Sequence, residues 1–256
     1  MPNRLSIAGA ALSFCSFVLP SCKLFEPSPT APEEVILQSQ PLMAILKLPA
    51  GYDSSRTYTL LVALHGNGGT AAGLAPTFSS LARASVFVAA PQGEYPTSNG
   101  GYSWFYLTSD RSLWEEYDTR SVAGVVTLIS DIRARYRIGK VYVLGFSQGA
   151  SLAYMTGLRN PSLVSGVLAI SGVMPEIDGV GSIVHAQDVA DARNVKVFVA
   201  RGGSDELVSR QAFTTQRDFF TSNGYSVTAY EYAGGHYLTD ELLGQVLQWL
   251  RSQPGR

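Results

Sequence analysis

The chain predicts an α/β domain built on a mostly parallel sheet. Three observations carry this. Short apolar runs alternate with amphipathic stretches through most of the 256 residues, the pattern of strands covered by helices. Several of the runs are Val-rich and apolar on consecutive residues, as strands buried on both faces should be. No Pro/Ser-rich linker divides residues 35–256, so they read as one domain. Composition agrees: 46% of residues are hydrophobic and 15% charged, against a charged share of roughly 25% in an average globular chain. That excludes a disordered protein.

In chain order, strands are predicted at Ala44–Leu48, Thr59–Leu64, Val86–Ala90, Val141–Gly145, Gly166–Ile170, Val195–Ala200 and Val227–Tyr232. The longest helix is predicted at Asp118–Tyr136, with Val122, Val125, Val126, Ile129, Ile132 and Tyr136 on one stripe. Glu115, Glu116 and Asp118 lie near its start and Arg133, Arg135 and Arg137 near its end, which matches the helix dipole. A further helix follows Ser147 and is ended by Asn160-Pro161. Ser209–Ser222 is stopped by Asn223-Gly224, a helix C-terminal signal. Thr239–Ser252 places Leu242, Leu243, Val246, Leu247 and Leu250 on one face.

The N-terminus reads differently. Met1–Arg4 supplies one positive charge, and Leu5–Leu19 is a 15-residue apolar run broken only by serines. This is the layout of a signal peptide, here residues 1–21, and the run is shorter than the ~20 residues a membrane-spanning helix needs. The run closes in Leu19-Pro20-Ser21-Cys22, which resembles the lipobox of bacterial lipoproteins, although Pro20 stands where a small residue is usual. The expectation is a lipidated Cys22 and a place in the bacterial cell envelope, anchored to a membrane. Secretion or release into the periplasm is the alternative. Residues 22–34 carry the proline-rich KLFEPSPTAPEE and read as a solvated tether. Removing residues 1–21 takes away one charged group, Arg4, and leaves a side-chain charge of −2.

Charge and cysteine usage exclude further classes. With 19 basic and 20 acidic side chains, there is no global basic field to gather phosphates, so nucleic acid is not an expected partner. Cys15 and Cys22 are the only two cysteines. Residues 35–256 therefore hold neither a disulfide nor a thiolate metal site; the triad chemistry set out below implies no metal or organic cofactor.

Chemistry concentrates in Gly145-Phe146-Ser147-Gln148-Gly149, directly after the apolar strand and before a helical stretch. This is the strand, tight turn, helix context of a nucleophile elbow, which exposes Ser147 Oγ. A serine needs a base held by a third group. Of three histidines, His65 precedes the nucleophile in a Gly-rich turn and His185 falls in an irregular segment. His236, in Ala233-Gly234-Gly235-His236 after the last strand, sits where the base belongs in the order Ser, Asp/Glu, His. Asp205, where Val195–Ala200 runs into Arg201-Gly202-Gly203-Ser204-Asp205, is the acid that strand-end position selects, with Glu206 as neighbouring competitor. Asp178, Asp188 and Asp191 read as solvated charges. The backbone N–H of Gln148 is one expected oxyanion donor. The other is that of Asn67 in Leu64-His65-Gly66-Asn67-Gly68-Gly69, a loop without the lysine of a phosphate-binding motif.

With Leu64-His65-Gly66, Pro91-Gln92-Gly93, the elbow, Asp205 and Gly235-His236 in order, the chain resembles the phospholipase/carboxylesterase group of α/β-hydrolases, which includes acyl-protein thioesterases. The resemblance covers roughly residues 40–250. It implies an eight-stranded, mostly parallel hydrolase sheet without a large lid. It carries the triad roles onto Ser147, Asp205 and His236 and the oxyanion roles onto Asn67 and Gln148. Gly101-Tyr102-Ser103-Trp104-Phe105 looks like the aromatic segment these esterases set beside the pocket, which makes Trp104 and Phe105 candidate substrate contacts, with packing on the sheet edge as the alternative. Asn67 in place of the apolar residue often found after His-Gly, and a long Tyr102–Trp114 loop, are departures that bear on substrate preference.

The activity so implied is hydrolysis of short- to medium-chain carboxylic esters, small or polymeric, through an acyl-enzyme on Ser147. Only about 25 residues separate Ile170 from Val195, too few for a large lid, though Gly181–Ala192 has room for a small flap. The same triad would serve a polyhydroxyalkanoate depolymerase, a feruloyl or acetyl esterase, or a peptidase. A rival of another class is a non-catalytic binding lipoprotein on the same fold. Oligomeric state has no signal in the sequence.

Overall fold

The computed structural model describes residues 33–39, 42–106 and 108–253. The predicted leader and Cys22 lie outside these residues, as does most of the tether. The described chain runs β1 (Glu34–Ser39), β2 (Leu42–Lys47), β3 (Tyr58–Leu64), α1 (Ala71–Leu74), α2 (Ser79–Arg83), β4 (Val86–Pro91), β5 (Tyr95–Pro96), β6 (Tyr102–Ser103), α3 (Trp114–Arg135), β7 (Ile138–Phe146), α4 (Gln148–Arg159), β8 (Gly166–Ile170), α5 (Ala186–Asp191), β9 (Lys196–Gly202), α6 (Arg210–Ser222), β10 (Val227–Tyr232) and α7 (Asp240–Ser252). Eight strands form one sheet in the order β1-β2-β4-β3-β7-β8-β9-β10. The pairs β1/β2 and β2/β4 are antiparallel and the rest parallel. The order reverses beside β3 and β7, where an open parallel sheet leaves a crevice beyond its carboxyl ends.

Alternation along β3 shows how the layers form. Leu60, Val62 and Leu64 pack into one core and Leu61 and Ala63 into the other, on opposite faces of the sheet. The first core takes Val125 and Ile129 of α3 and Leu152 of α4, and the second takes Leu242 and Val246 of α7. Both faces are thus covered, as the unbroken apolar runs require.

Helix ends follow local signals. Ser209 and Thr239 accept hydrogen bonds from the amides of Ala212 and Leu242, which caps α6 and α7. Helix α3 begins at Trp114, four residues before the expected start, because Glu115 and Glu116 lie inside its first turn and not ahead of it. The short helices α1, α2 and α5 show no apolar periodicity and were not expected.

The tether boundary needs correction. Glu34, expected as its last residue, is the first residue of β1 and pairs with Lys47 of β2. Leu37 of this edge strand is buried, and Ser39 donates to Asp131 of α3 at 2.6 Å. An edge strand with alternating exposure lacks the continuous apolar run that marks a central one.

Candidate active site

Ser147 joins β7 to α4 at φ 54° and ψ −119°, a conformation that non-glycine residues rarely adopt. The turn closes because its neighbours lack side chains. A Cβ on Gly145 would lie 1.9 Å from the carbonyl oxygen of Gly149, and one on Gly149 would lie 2.5 Å from that of Leu64. Helix α4 therefore starts hard against the ends of β7 and β3, with Ser147 at the tip.

His236 arrives after β10. Its Nδ1 lies 3.1 Å from each carboxylate oxygen of Asp205, so Nδ1 carries the proton and Nε2 is left as the basic nitrogen. Its ring centroid is 4.9 Å from that of Phe146, which brings the imidazole beside the elbow.

The Asp205 side chain is fully buried. Burial pushes its carboxyl up, but hydrogen bonds from the Val208 amide, the Ser171 hydroxyl, the Leu207 amide and His236 outweigh this and hold it below the usual carboxylate range. The two amides donate to Oδ1 at 2.9 Å. Asp205 is therefore a fixed negative charge that aligns the His236 ring through Nδ1. Glu206, the competitor, is exposed.

Three groups behind Asp205 escaped the sequence reading. Ser171, fully buried at the end of β8, lies 3.0 Å from the Tyr232 hydroxyl, which donates to the Tyr237 carbonyl at 2.9 Å. This chain ties the ends of β8 and β10 together around the Asp205–His236 pair. Arg201 is buried, donates to the carbonyls of Val208 and Asp205, and pairs with Glu231 at 2.7 Å. An arginine closing an apolar strand was the one visible signal. Ser171 and Tyr232 had none.

The loop after β3 abuts the elbow, for a Cβ on Gly66 would stand 3.2 Å from that of Ser147. Gly68 and Gly69 of this loop bond the backbone of Tyr102 and Gly66. The Asn67 amide is not among the described donors, nor is that of Gln148 at the first position of α4.

His65 is structural: Nδ1 meets the Gly66 carbonyl at 2.7 Å and Nε2 accepts from the Gly93 amide at 3.0 Å. Burial holds its pKa below the usual histidine value, against the raising effect of the Gly66 bond. The ring thereby pins Pro91-Gln92-Gly93 to the Asn67 loop. His185 is exposed and meets Asp178 at 3.1 Å, far from this chemistry in role.

The expectation for Trp104 needs correction. It is 1% exposed, donates from Nε1 to the His65 carbonyl at 2.7 Å and packs on the His65 ring, so it braces the loop and does not line the cavity. Phe105 instead lines a cavity of about 560 Å³ together with Ser151 and Val173. The Gln148 side chain holds this segment in place by accepting from the Trp104 amide at 3.0 Å and donating to the Phe105 carbonyl at 3.2 Å. Gly181 and Ser182 also line the cavity, while residues 186–191 form helix α5. Among the described residues, no cluster of His, Cys, Asp or Glu is placed to hold a metal ion.

Comparison with known proteins points the same way. A family model described as Phospholipase/Carboxylesterase matches residues 52–253. The chain is 27% identical over 220 residues to a protein of Oryza sativa subsp. japonica called "Probable carboxylesterase", covering 79% of this chain and 92% of that one. Among solved structures, a carboxylesterase from Mesorhizobium loti superposes with a TM-score of 0.70 at 21% identity, over 86% of this chain and 99% of the other. Zea mays acyl-protein thioesterase 2 does so with 0.62 at 23% identity, over 82% and 97%. At such identities the structures show a shared α/β-hydrolase fold.

Proposed function

Because the chain belongs to the phospholipase/carboxylesterase family of α/β-hydrolases, we propose that it is a serine carboxylesterase acting on short- to medium-chain esters through an acyl-enzyme. The observation that carries this reading is the alignment of His236 on both oxygens of buried Asp205, beside a serine held in a strained elbow.

In the proposed mechanism His236 Nε2 takes the proton from Ser147 Oγ as the oxygen attacks the ester carbonyl. The amides of Asn67 and Gln148 hold the oxyanion. His236 then returns the proton to the departing alcohol, and Asp205 steadies the charged imidazole without itself taking a proton. Water, deprotonated in turn by His236, attacks the acyl carbonyl, and His236 passes that proton to Ser147 Oγ as the acid leaves. The preference for shorter acyl groups is supported by the modest volume of the cavity; the β8–β9 connection adds only the six-residue helix α5.

The test is labelling by a fluorophosphonate probe alongside turnover of p-nitrophenyl esters of graded chain length. We expect labelling that vanishes in Ser147→Ala, with turnover of esters reduced by about 10⁶ in that variant and thermal melting unchanged. Labelling that persists in Ser147→Ala, or faster cleavage of amides than of esters, would overturn the proposal. Attachment to a membrane is proposed on the Leu19-Pro20-Ser21-Cys22 pattern. Cells fed radiolabelled palmitate should label the native chain and not Cys22→Ser.

A further inference from the structure

The cavity beside Ser147 contains a carboxyl group that ester hydrolysis does not use. Its lining includes Phe105, Tyr106, Trp114, Tyr117 and Met155, with Asp118 among them. Two of its lining residues are close to Ser147 along the chain or across one residue. Ser151 lies one turn beyond Ser147 on α4, and Val173 follows Gly172, whose Cβ would stand 2.4 Å from the Ser147 carbonyl oxygen. At about 560 Å³ the cavity is of ligand size.

The charges around it do not balance. At the rim, Arg111 pairs with Glu176 and lies 4.7 Å from the Trp114 ring centroid, so these two charges neutralise each other. Among the described residues, Asp118 has no such counterpart. Burial pushes its carboxyl up to about 7, with no hydrogen bond or neighbouring charge contributing. An apolar side chain on α3 would fill the same place without that penalty. A carboxyl that shares a cavity lining with Phe105, Tyr106 and Tyr117, in a wall whose other acid is already paired, offers a cation both an anion and aromatic surface.

Resting on the esterase reading above, we propose that this cavity is the specificity pocket for an ammonium-bearing arm of the ester substrate, whose cation sits against Asp118 and the surrounding aromatic rings. A quaternary or alkylated ammonium fits this surface better than a free primary amine. Its charge is spread over methyl groups that pack on the rings, and it requires few hydrogen bonds in return. Binding restores a counter-ion to Asp118 and releases its proton.

The experiment compares ligands that differ only in charge. Calorimetric titration of Ser147→Ala at about pH 8, where a carboxyl of this kind is mostly ionised, would use butyrylcholine against its uncharged carbon isostere. The ethyl ester of trimethylammoniobutanoate against its own carbon isostere places the cation on the acyl side. We expect a Kd lower by about tenfold or more for the cationic member of at least one pair. That preference should disappear when Asp118→Asn is added and persist with Asp118→Glu. Equal affinities within both pairs, or a preference unaffected by Asp118→Asn, would overturn the proposal. Turnover of p-nitrophenyl butyrate by the native enzyme separates the two readings. If that ester is cleaved while neither pair discriminates, the pocket assignment fails and the esterase stands. If it is not cleaved, the esterase reading fails, and the titrations still decide whether the pocket takes a cation.

Discussion

Asp205 and Asp118 are both partly or wholly removed from water, yet their surroundings drive them in opposite directions. Around Asp205, donors from Val208, Ser171, Leu207 and His236 overcome the cost of burial, and the carboxyl stays charged below its ordinary range. Its stabilising contribution is complete above the unfolded value and is lost only as pH falls through the lower folded one. Asp205→Asn removes the charge and reverses the hydrogen bond that selects the His236 tautomer. We expect kcat for a p-nitrophenyl ester to drop by about 10⁴ with little change in KM, and a drop below about tenfold would argue against Asp205 as the orienting acid. Around Asp118 nothing offsets burial, and the carboxyl rises from 3.8 to about 7. The folded state then holds this proton more tightly than the unfolded chain, so stability declines as pH climbs from about 4 to about 7. Asp118→Asn should raise stability by about 1–3 kcal/mol at pH 8, allowing for partial solvent access, and by almost nothing near pH 4. Thermal melts at the two pH values check this, and a pH-independent difference would contradict it. Ser147, Asp205 and His236 could be singled out in the sequence because each follows a strand in a fixed order. The role of Asp118 could not, since its position at the start of an amphipathic helix gives an equally good account of an acid there.

Turns and strand ends, more than individual side chains, hold these groups together. The β9 end carries Asp205 in a loop whose carbonyls are gathered by buried Arg201, while Ser171 and Tyr232 bind β8 to β10 behind it. Tyr232→Phe should leave Ser171 and the Tyr237 carbonyl short of a partner. The expected cost is about 1–2 kcal/mol of stability, with a fall in kcat larger than any change in KM because His236 loses its fixed orientation. Unchanged kcat at reduced stability would mean that the pair is merely structural. On the other side, the Gln148 side chain clamps Ser103–Phe105 against the start of α4. Elements with long apolar or amphipathic runs were legible: the seven expected strands and the helices α3, α4, α6 and α7 all form, with ends shifted by a few residues. The helices α1, α2 and α5 were not, since a run of four to six residues is too short to show a period. Their stability comes from packing and caps such as Thr70 on α1.

Across the molecule, two cores on opposite faces of one sheet hold the strand ends in register, and the site lies where those ends converge on the β3/β7 crevice. The edge strand β1 belongs to this construction. It pairs over six positions with β2, buries Leu37 and bonds α3 through Ser39. A chain starting at Leu42 should therefore be less stable than one starting at Glu33 by about 3–5 kcal/mol, and chemical denaturation of the two would show it. Equal midpoints would make β1 dispensable. The amino-acid sequence by itself determined the fold class, the order of Ser147, Asp205 and His236 at strand ends, and the glycines that only a close-packed elbow explains. These are local or periodic properties, written in consecutive residues. Tertiary structure alone decided that Trp104 braces His65 while its neighbour Phe105 faces the cavity. It alone placed Ser171 and Tyr232 behind Asp205 and set Asp118 in a cavity lining without a charged partner among the described residues. Each of these depends on contacts between residues far apart in the chain, and burial, which sets their chemistry, exists only once the layers have closed.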